Sequence, residues 1–362
     1  MCLEMIMRSR PPSIDAVARI AGVSRSAVSR AYTPGASVAP ATRERIAEAA
    51  ERIGYRPNLM ARSLSHQRSR TIGVAVTRLE NTFNAVLLQQ LALGFRSAGY
   101  GVRLFVSHGD DDADPGIEEI LQHRVDALIV CAIGVTSTLG HECSALNIPV
   151  VMVNRHTDDS RSSCVIGDNQ AGGACIARFL VACGHRRFAF IGGTPGSSTS
   201  RDRQAGFAAA LLELGIGPPL VAEGLWDAEI AASAARALLE LPEPPDALFC
   251  ANDHMAAASL AVATQEFGRV AGSDLSVVGF DDMPLSRIGL GLTTYAQPAG
   301  LLAERAVAVT LAMIDGQTGA RHLIIPGHLV VRGSSRLPEG RGLQAGETIW
   351  PGDKTISKEA GE

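Results

Sequence analysis

The sequence predicts a doubly wound α/β core preceded by a small, all-helical head. From Thr71 onward, short apolar runs rich in β-branched residues alternate with longer Ala/Leu-rich stretches of helical period. Runs that are apolar throughout mark strands buried on both faces of a parallel sheet. Before residue 57 there are three short helical stretches and no strand candidate. The 362 residues, 46% of them hydrophobic, suffice for two or three domains and exclude a disordered or fibrous chain.

The head is predicted to form a helix-turn-helix and a third helix. Ser13 and Ser24 precede the first two helices as N-caps, and Asp15 lies where the first turn favours negative charge. Gly22 separates these helices by only a short turn. The predicted helices are residues 13–20, 25–32 and 41–53, with Pro40 at the start of the third and Gly54 at its end.

The net charge of −4 is divided unevenly along the chain. Residues 1–70 carry 12 arginines, no lysine and 5 acidic residues, a balance of +7, so the remainder carries −11. A basic head on an acidic body is expected of a nucleic-acid-binding module joined to another domain. Arginine binds phosphates and guanine edges bidentately. A GC-rich genome would also favour arginine over lysine.

The second predicted helix presents Arg25, Ser26 and Ser29 outward at its start. Side chains of these types reach base edges and phosphates when such a helix enters the major groove. The pattern therefore predicts a DNA-binding head. The alternative is a small helical bundle with a solvated basic face.

The core contains more strand–helix units than one sheet accommodates. A second series begins near residues 166–173, which predicts two α/β lobes with a ligand-binding cleft between their sheet ends. The predicted strands are residues 71–77, 102–107, 126–132, 149–154, 188–192, 247–251 and 276–280. The predicted helices are residues 85–98, 172–183, 204–214, 229–239, 255–267 and 301–314.

The cysteines and the apolar runs bear on the class and compartment of the protein. Seven cysteines form an odd set without C-x-x-C spacing, which predicts reduced, mostly buried thiols in a cytoplasmic protein. We expect no signal peptide and no membrane span, because no run approaches the ~18 apolar residues that a span requires.

The sequence motifs predict no metal site, no cofactor and no enzymatic activity. Four acidic residues, Asp110, Asp111, Asp112 and Asp114, suggest a calcium loop, but Pro115 and Leu121 occupy the positions that require Gly and Glu. A solvated loop is the better interpretation. No nucleophile elbow, Walker loop or zinc-protease motif occurs.

Four stretches of the head carry a family resemblance: VARIAGVSRSAVSR (17–30), Val38 with Thr42-Arg43, GYRPN (54–58) and ARSL (61–64). They resemble the LacI/GalR family of bacterial transcription regulators. The resemblance implies a hinge after the third helix that becomes helical on the operator and inserts Leu64 into the minor groove. Without the resemblance, Leu64 would be an ordinary linker residue. The implied DNA-binding residues are Ser24, Arg25, Ser26, Ser29, Arg30, Asn58, Ala61 and Leu64.

Two head residues depart from the family pattern. The usual Asp near the start of the first helix is Ala16 here, with Asp15 beside it, and the usual Thr of the recognition helix is Ala27. Both positions concern helix capping and phosphate contact, so they affect individual contacts more than the docking of the helix.

The core matches the same family in short segments, and the family core is similar to periplasmic sugar-binding proteins. These segments include Asn81–Asn84, Asp168-Asn169, Gly184–Arg186, Arg203 with Gly206-Phe207, Ala251–Asp253 and Gly279–Asp282. The resemblance assigns effector binding to Phe83, Asn84, Arg203, Trp226, Asn252 and Asp281. An Asp and an Asn suit adjacent hydroxyls, an Arg suits a ring oxygen or carboxylate, and a Trp stacks on an apolar sugar face.

Each of these core residues has an alternative role. Asp281 suits a turn cap, Asn252 an Asx turn and Trp226 a surface groove, and Arg201 competes with Arg203 for the position facing the ligand. Asn84 replaces an aromatic residue that is common in the family, which favours a sugar or sugar acid over a purine.

The sequence therefore predicts a homodimeric repressor that binds a palindromic operator under control of a small effector. The expected divisions are the head (10–57), the hinge (58–69), the core (70–336) and a flexible tail (337–362). Lobe 1 comprises 70–165 and 297–325, and lobe 2 comprises 166–296 and 326–336. A sugar-binding or sugar-modifying protein with a vestigial head is the alternative.

Overall fold

The computed structural model describes residues 12–32, 35–56, 68–77, 79, 81–107, 120, 122–131, 143, 145–157, 162–339 and 344–352. The chain divides into two compact units, residues 1–69 and 70–362. The described part of the first unit contains helices and no strand, and the second is an α/β unit with two sheets.

The head contains α1 (Ile14–Ala21), α2 (Arg25–Ala31) and α3 (Pro40–Arg52). The predicted caps are confirmed, since Ser13 Oγ accepts from the Ala16 amide and Ser24 Oγ from the Ala27 amide. Gly22 ends α1 at φ +63, a left-handed conformation that glycine adopts without strain. The three helices bury a small common core of Val17, Ala18, Ala21, Val28, Ala31, Ile46, Ala49 and Ala50.

Lobe 1 contains a parallel sheet in the order β11-β5-β4-β3-β1-β2. Its strands are β1 (Thr71–Thr77), β2 (Gly101–Ser107), β3 (Ala127–Cys131), β4 (Val150–Val153), β5 (Ser163–Gly167) and β11 (His322–Ile325). Helices α4 (Thr82–Ser97) and α9 (Ala299–Ile314) pack together beside this sheet. Gly94 permits their close approach, because a Cβ there would lie 2.9 Å from Val307.

Lobe 2 contains a mixed sheet in the order β13-β12-β10-β9-β8-β6-β7. Strands β6 to β10 run parallel, while β12 and β13 are antiparallel to their neighbours. The strands are β6 (Phe188–Gly192), β7 (Leu220–Glu223), β8 (Ala247–Cys250), β9 (Ser276–Asp281), β10 (Thr293–Ala296), β12 (His328–Val330) and β13 (Thr348–Ile349). The helices are α5 (Asn169–Ala182), α6 (Ser198–Glu213), α7 (Ala228–Leu239) and α8 (Asp253–Gln265).

The prediction of a flexible tail is wrong for residues 344–352. Thr348 and Ile349 pair with β12, and Ile349 is 1% exposed. The Trp350 ring lies 4.8 Å from the His328 ring. The buried Ile349 and the contact between the Trp350 and His328 rings anchor this segment against lobe 2. Its Gly- and Glu-rich composition gave no indication of a strand.

The six described cysteines are buried as reduced thiols. Burial raises the pKa of Cys131 and of Cys250 to about 12. A thiol with so high a pKa is chemically inert near neutral pH. These residues therefore contribute to packing.

Candidate functional site

The head exposes the predicted base-reading residues on α2: Ser24, Arg25, Ser26, Ser29 and Arg30. Nε of Arg25 lies 2.9 Å from Oδ1 of Asp15, which joins the start of α2 to α1. The hydroxyls of Ser24 and Ser26 are 2.9 Å apart. The surface therefore presents both charged and neutral donors. Asn58, Ala61 and Leu64 lie outside the described residues, so their roles stay predictions.

In lobe 1, the first turn of α4 carries two predicted effector residues. Oδ1 of Asn81 caps this helix by accepting from the Phe83 amide at 3.1 Å. Phe83 and Asn84 follow at once and are both buried. The α4 start lies beyond the carboxyl end of β1, the edge at which ligands of α/β folds bind.

In lobe 2, Arg203 extends through the interior with nearly all of its side chain buried. Nε donates to Oδ1 of Asn169 at 2.9 Å, and Nη1 donates to the Ala251 carbonyl oxygen. The guanidinium stacks on Phe280, with Cζ 3.7 Å from the ring centroid. Burial lowers the pKa of Arg203 to about 10, against three carboxyl groups that raise it: Asp281, Asp253 and Asp202.

The close approach of α5 and α6 positions Arg203. A Cβ on Gly173 would overlap the Arg203 carbonyl oxygen, and a Cβ on Gly206 would overlap the Gln170 carbonyl oxygen. Both helices therefore require glycine where their backbones touch. The Arg201 side chain is half exposed and lies beside Asp202, which leaves Arg203 as the buried arginine.

Asp281 ends β9 in a left-handed conformation, at φ +116. Its Oδ1 accepts from Nε2 of Gln297 at 2.7 Å and lies 3.7 Å from Nη2 of Arg203. Burial raises the pKa of Asp281 to about 6, although Arg203 and the Gln297 hydrogen bond act to lower it. The neighbouring Asp253 has a pKa well above its usual range, first because of burial and then because of Asp281.

Three buried polar atoms at strand ends have no hydrogen-bond partner: Asn154 Oδ1, Asn252 Nδ2 and Gln297 Oε1. Oδ1 of Asn252 accepts from the Met255 amide and caps α8, a helix-capping role in place of the Asx turn, while its Nδ2 donor is unused. Buried polar atoms without a protein partner are rare, and they suit hydrogen bonds to a ligand or to water. Asn154 and Gln297 were not among the predicted site residues, because no motif surrounds them.

Trp226 lies on the surface of the same lobe at φ +60, with its ring packed directly on Gly193. Its ring centroid lies 5.9 Å from Cζ of Arg203. The indole is partly exposed and borders Arg203, which suits a stacking surface. The structure thus brings Arg203, Trp226, Asn252 and Asp281 to one edge of lobe 2.

A serine, a histidine and an aspartate form a linear array elsewhere in lobe 2. Nε2 of His185 lies 2.6 Å from Ser276 Oγ, and its Nδ1 lies 3.6 Å from Asp246 Oδ1. Ser276 and His185 are fully buried, and Ser276 Oγ also accepts from the Arg336 amide. With both of these side chains buried, the array joins β9 to the segment that follows α5.

Comparisons with known proteins agree with this architecture. Residues 13–58 match the family model described as "Bacterial regulatory proteins, lacI family", and residues 177–335 match "Periplasmic binding protein-like domain". The HTH-type transcriptional repressor CytR of Escherichia coli (strain K12) is 30% identical over 325 residues, covering 88% of this chain and 95% of CytR. The chain belongs to the LacI family.

Other LacI-family relatives match over similar lengths. The probable HTH-type transcriptional repressor ExuR of Bacillus subtilis (strain 168) is 29% identical, covering 90% of this chain and 98% of ExuR. The lac repressor dimer bound to operator and the anti-inducer ONPF superposes with a TM-score of 0.82 at 28% identity, covering 90% of this chain and 100% of that one. The CelR–cellobiose complex superposes with a TM-score of 0.68 at 28% identity, with the same coverage.

No helix within the described ranges is long and apolar enough to cross a bilayer. Where the structure places side chains, no three His, Cys, Asp or Glu residues gather as a metal site.

Proposed function

We propose that this protein is a transcriptional repressor whose affinity for operator DNA is set by a small molecule bound in the core cleft. One observation carries the proposal: a single chain combines a helix-turn-helix with exposed arginines and an α/β core with unpaired, buried polar atoms at its strand ends. The relatives that match nearly its whole length carry the name repressor.

In the head, α2 is the recognition helix that enters the major groove. Arg25 and Arg30 bind phosphates or guanine edges, and Ser24, Ser26 and Ser29 supply neutral hydrogen bonds. The hinge residues Asn58, Ala61 and Leu64 bind the minor groove, with Leu64 as the wedge between base pairs. A homodimer places two such heads about one DNA turn apart on a palindrome.

In the core, we assign effector binding to Phe83, Asn84, Arg203, Trp226, Asn252 and Asp281. Asp281 and Asn252 together accept and donate hydrogen bonds, as adjacent hydroxyls require. The exposed face of Trp226 suits the apolar face of a sugar ring. A sugar or sugar acid therefore fits this chemistry, and the CelR complex contains cellobiose in a similar fold.

The two sites act on one another through the core. If the effector binds one arrangement of the lobes more tightly, operator and effector change each other's affinity by the same factor, typically about 5- to 150-fold. We assign residues 10–57 to the head, 58–69 to the hinge and 70–336 to the core. A repressor acts on the chromosome, which places this protein in the bacterial cytoplasm, where reduced cysteines persist.

Deleting residues 1–66 tests the proposal. The full chain selects a preferred duplex from random DNA, and we expect its affinity to fall roughly 10³- to 10⁵-fold between 50 and 200 mM salt if six to ten phosphates are contacted. The deleted protein is expected to lose DNA binding and to keep its thermal response to sugars. Salt-independent DNA affinity, or DNA binding that survives the deletion, contradicts the proposal and favours a sugar-binding protein with a vestigial head.

A further inference from the structure

The two lobes of the core touch directly at the carboxyl ends of their strands. Asn154 follows β4 at φ +58 and turns the chain out of the lobe 1 sheet. Nε2 of His156 then lies 2.8 Å from Oδ2 of Asp202, in the second turn of α6 in lobe 2. The His156 amide also donates to Oγ of Ser198 at 3.1 Å. These contacts join segments that lie more than 40 residues apart in the chain.

The environment of this pair separates it from an ordinary surface ion pair. The side chains of His156 and Asp202 are only 23% and 12% exposed. Nη2 of Arg155 donates to the Gly196 carbonyl oxygen at 3.4 Å along the same edge. A hydrogen-bonded pair shielded from water contributes more than an exposed one, whose net contribution is often close to zero.

The pair lies beside the candidate effector residues without belonging to them. Asp202 immediately precedes Arg203, and His156 follows Asn154 by two residues. Lobe 1 carries Phe83, whereas the polar groups around Arg203 belong to lobe 2. The two halves of the site converge on one ligand only when the lobes are held at a fixed separation.

We propose that His156 and Asp202 form a clasp that holds the two lobes together at the cleft and so aligns the two halves of the effector site. The inference deepens the proposed function, because alignment matters only if the cleft binds an effector. His156 acts here as a positioning residue. A pair of this kind shifts a two-state equilibrium by roughly three- to tenfold.

The chain allows the clasp to be opened without unfolding the core. Nε of Arg201 lies 3.6 Å from Oδ1 of Asp202 and remains beside it when His156 is replaced. His156→Ala therefore leaves no isolated buried charge. His156→Gln keeps a side-chain donor that reaches Asp202 and serves as the conservative variant.

Pulsed electron paramagnetic resonance on the full chain measures the opening of the cleft. Nitroxide labels at Leu79→Cys and Pro195→Cys, in a Cys2→Ser background, lie at exposed positions of lobe 1 and lobe 2. The six described cysteines are buried and resist labelling. We expect His156→Ala and Asp202→Asn each to raise the long-distance population three- to tenfold. The double variant should open no further than either single one, and His156→Gln should match the wild type.

Arg178→Ala is the matched control. It removes the 3.0 Å pair between Arg178 and Glu213, which joins α5 and α6 within lobe 2. Its distance distribution should equal that of the wild type. An unchanged distribution in His156→Ala, or equal opening in Arg178→Ala, overturns the clasp. Failure of the wild type to bind any selected duplex contradicts the proposed function instead, because the distance measurement requires neither DNA nor effector.

Discussion

Nη2 of Arg203 lies 3.7 Å from Oδ1 of Asp281, and both side chains are buried in lobe 2. The guanidinium comes from α6 and the carboxylate from the end of β9, so only the folded core brings them together. Each charge compensates the other in a region that excludes water. Removing one partner of such a pair leaves a buried charge without compensation.

Replacement of Arg203 is therefore expected to be costly. Arg203→Ala should lower the free energy of unfolding by about 3–5 kcal/mol, because it leaves Asp281 buried and opens the space over Phe280. Arg201→Ala is the control and should change stability by less than about 0.5 kcal/mol, since that side chain is half exposed. Urea denaturation followed by circular dichroism measures both. Similar small losses in the two variants would show that the buried pair contributes little.

Asp281 also makes stability depend on pH. Its pKa is about 6 in the folded protein and about 3.9 in an unfolded chain. Folding thus favours the protonated form, so this contribution is fully present below about pH 3.9 and is lost as pH rises through about 6. Two units of pKa correspond to about 3 kcal/mol. The melting temperature of Asp281→Asn, relative to wild type, should therefore rise between about pH 4.5 and pH 7.5.

Asp246 supplies the opposite case as a control for the pH experiment. Burial opposes ionisation there, but the His185 imidazole, whose Nδ1 lies 3.6 Å from Oδ1, and a hydrogen bond from the Arg187 amide produce a net lowering of the Asp246 pKa. Its contribution is present above the unfolded pKa and is lost as pH falls through the folded value. Asp246→Asn should accordingly fall behind the wild type only as pH rises towards the unfolded pKa of about 3.9, and its melting temperature relative to wild type should show no trend between about pH 4.5 and pH 7.5. Parallel pH trends for the two variants would contradict the assigned pKa directions.

The contact between α5 and α6 yields a third prediction. Gly173→Ala should destabilise the protein by at least about 2 kcal/mol and abolish effector binding, because its Cβ would overlap the Arg203 carbonyl oxygen. Gly300→Ala is the matched helical control, since nothing lies within 4 Å of its added Cβ. That change should stabilise by about 0.5–1 kcal/mol. Calorimetric unfolding of both variants checks the pair, and equal effects would refute the proposed close approach.

The sequence predicted those strands whose burial follows from their own side chains. The continuous apolar run of β1 identified Thr71–Thr77 with its observed bounds. By contrast, β10 begins with Thr293 and Thr294, which read as polar, although both are fully buried. Their hydroxyls donate to the Arg332 carbonyl oxygen and to Oδ1 of Asp253. Hydrogen bonds to residues distant in sequence make this burial possible, and no local pattern reveals them.

The same limit applies to the effector site. The helical spacing indicates that Arg203 is buried, because Gly206 and Phe207 follow it by three and four residues and lie on the buried face of α6. The sequence prediction did not use this spacing. Arg201 lies away from that face. Asn154 and Gln297 gave no such signal, since their importance rests on polar atoms left unpaired by the folded core.

The ion pair between Arg25 and Asp15 leads to a prediction about the affinity for DNA. Asp15 holds Nε of Arg25 at 2.9 Å, which leaves the two Nη groups for the proposed contact with DNA. Arg25→Ala should weaken binding of a selected operator by about 1–3 kcal/mol. Asp15→Ala removes the orienting contact and a negative charge, so affinity for random duplex should rise while preference for the operator falls. Arg96→Ala makes the same charge change as Arg25→Ala at an exposed position of α4 in the core and should alter neither affinity. Fluorescence anisotropy measures the affinity of each variant for the operator and for random duplex. An equal change in the two affinities for Asp15→Ala would refute the orienting role of Asp15.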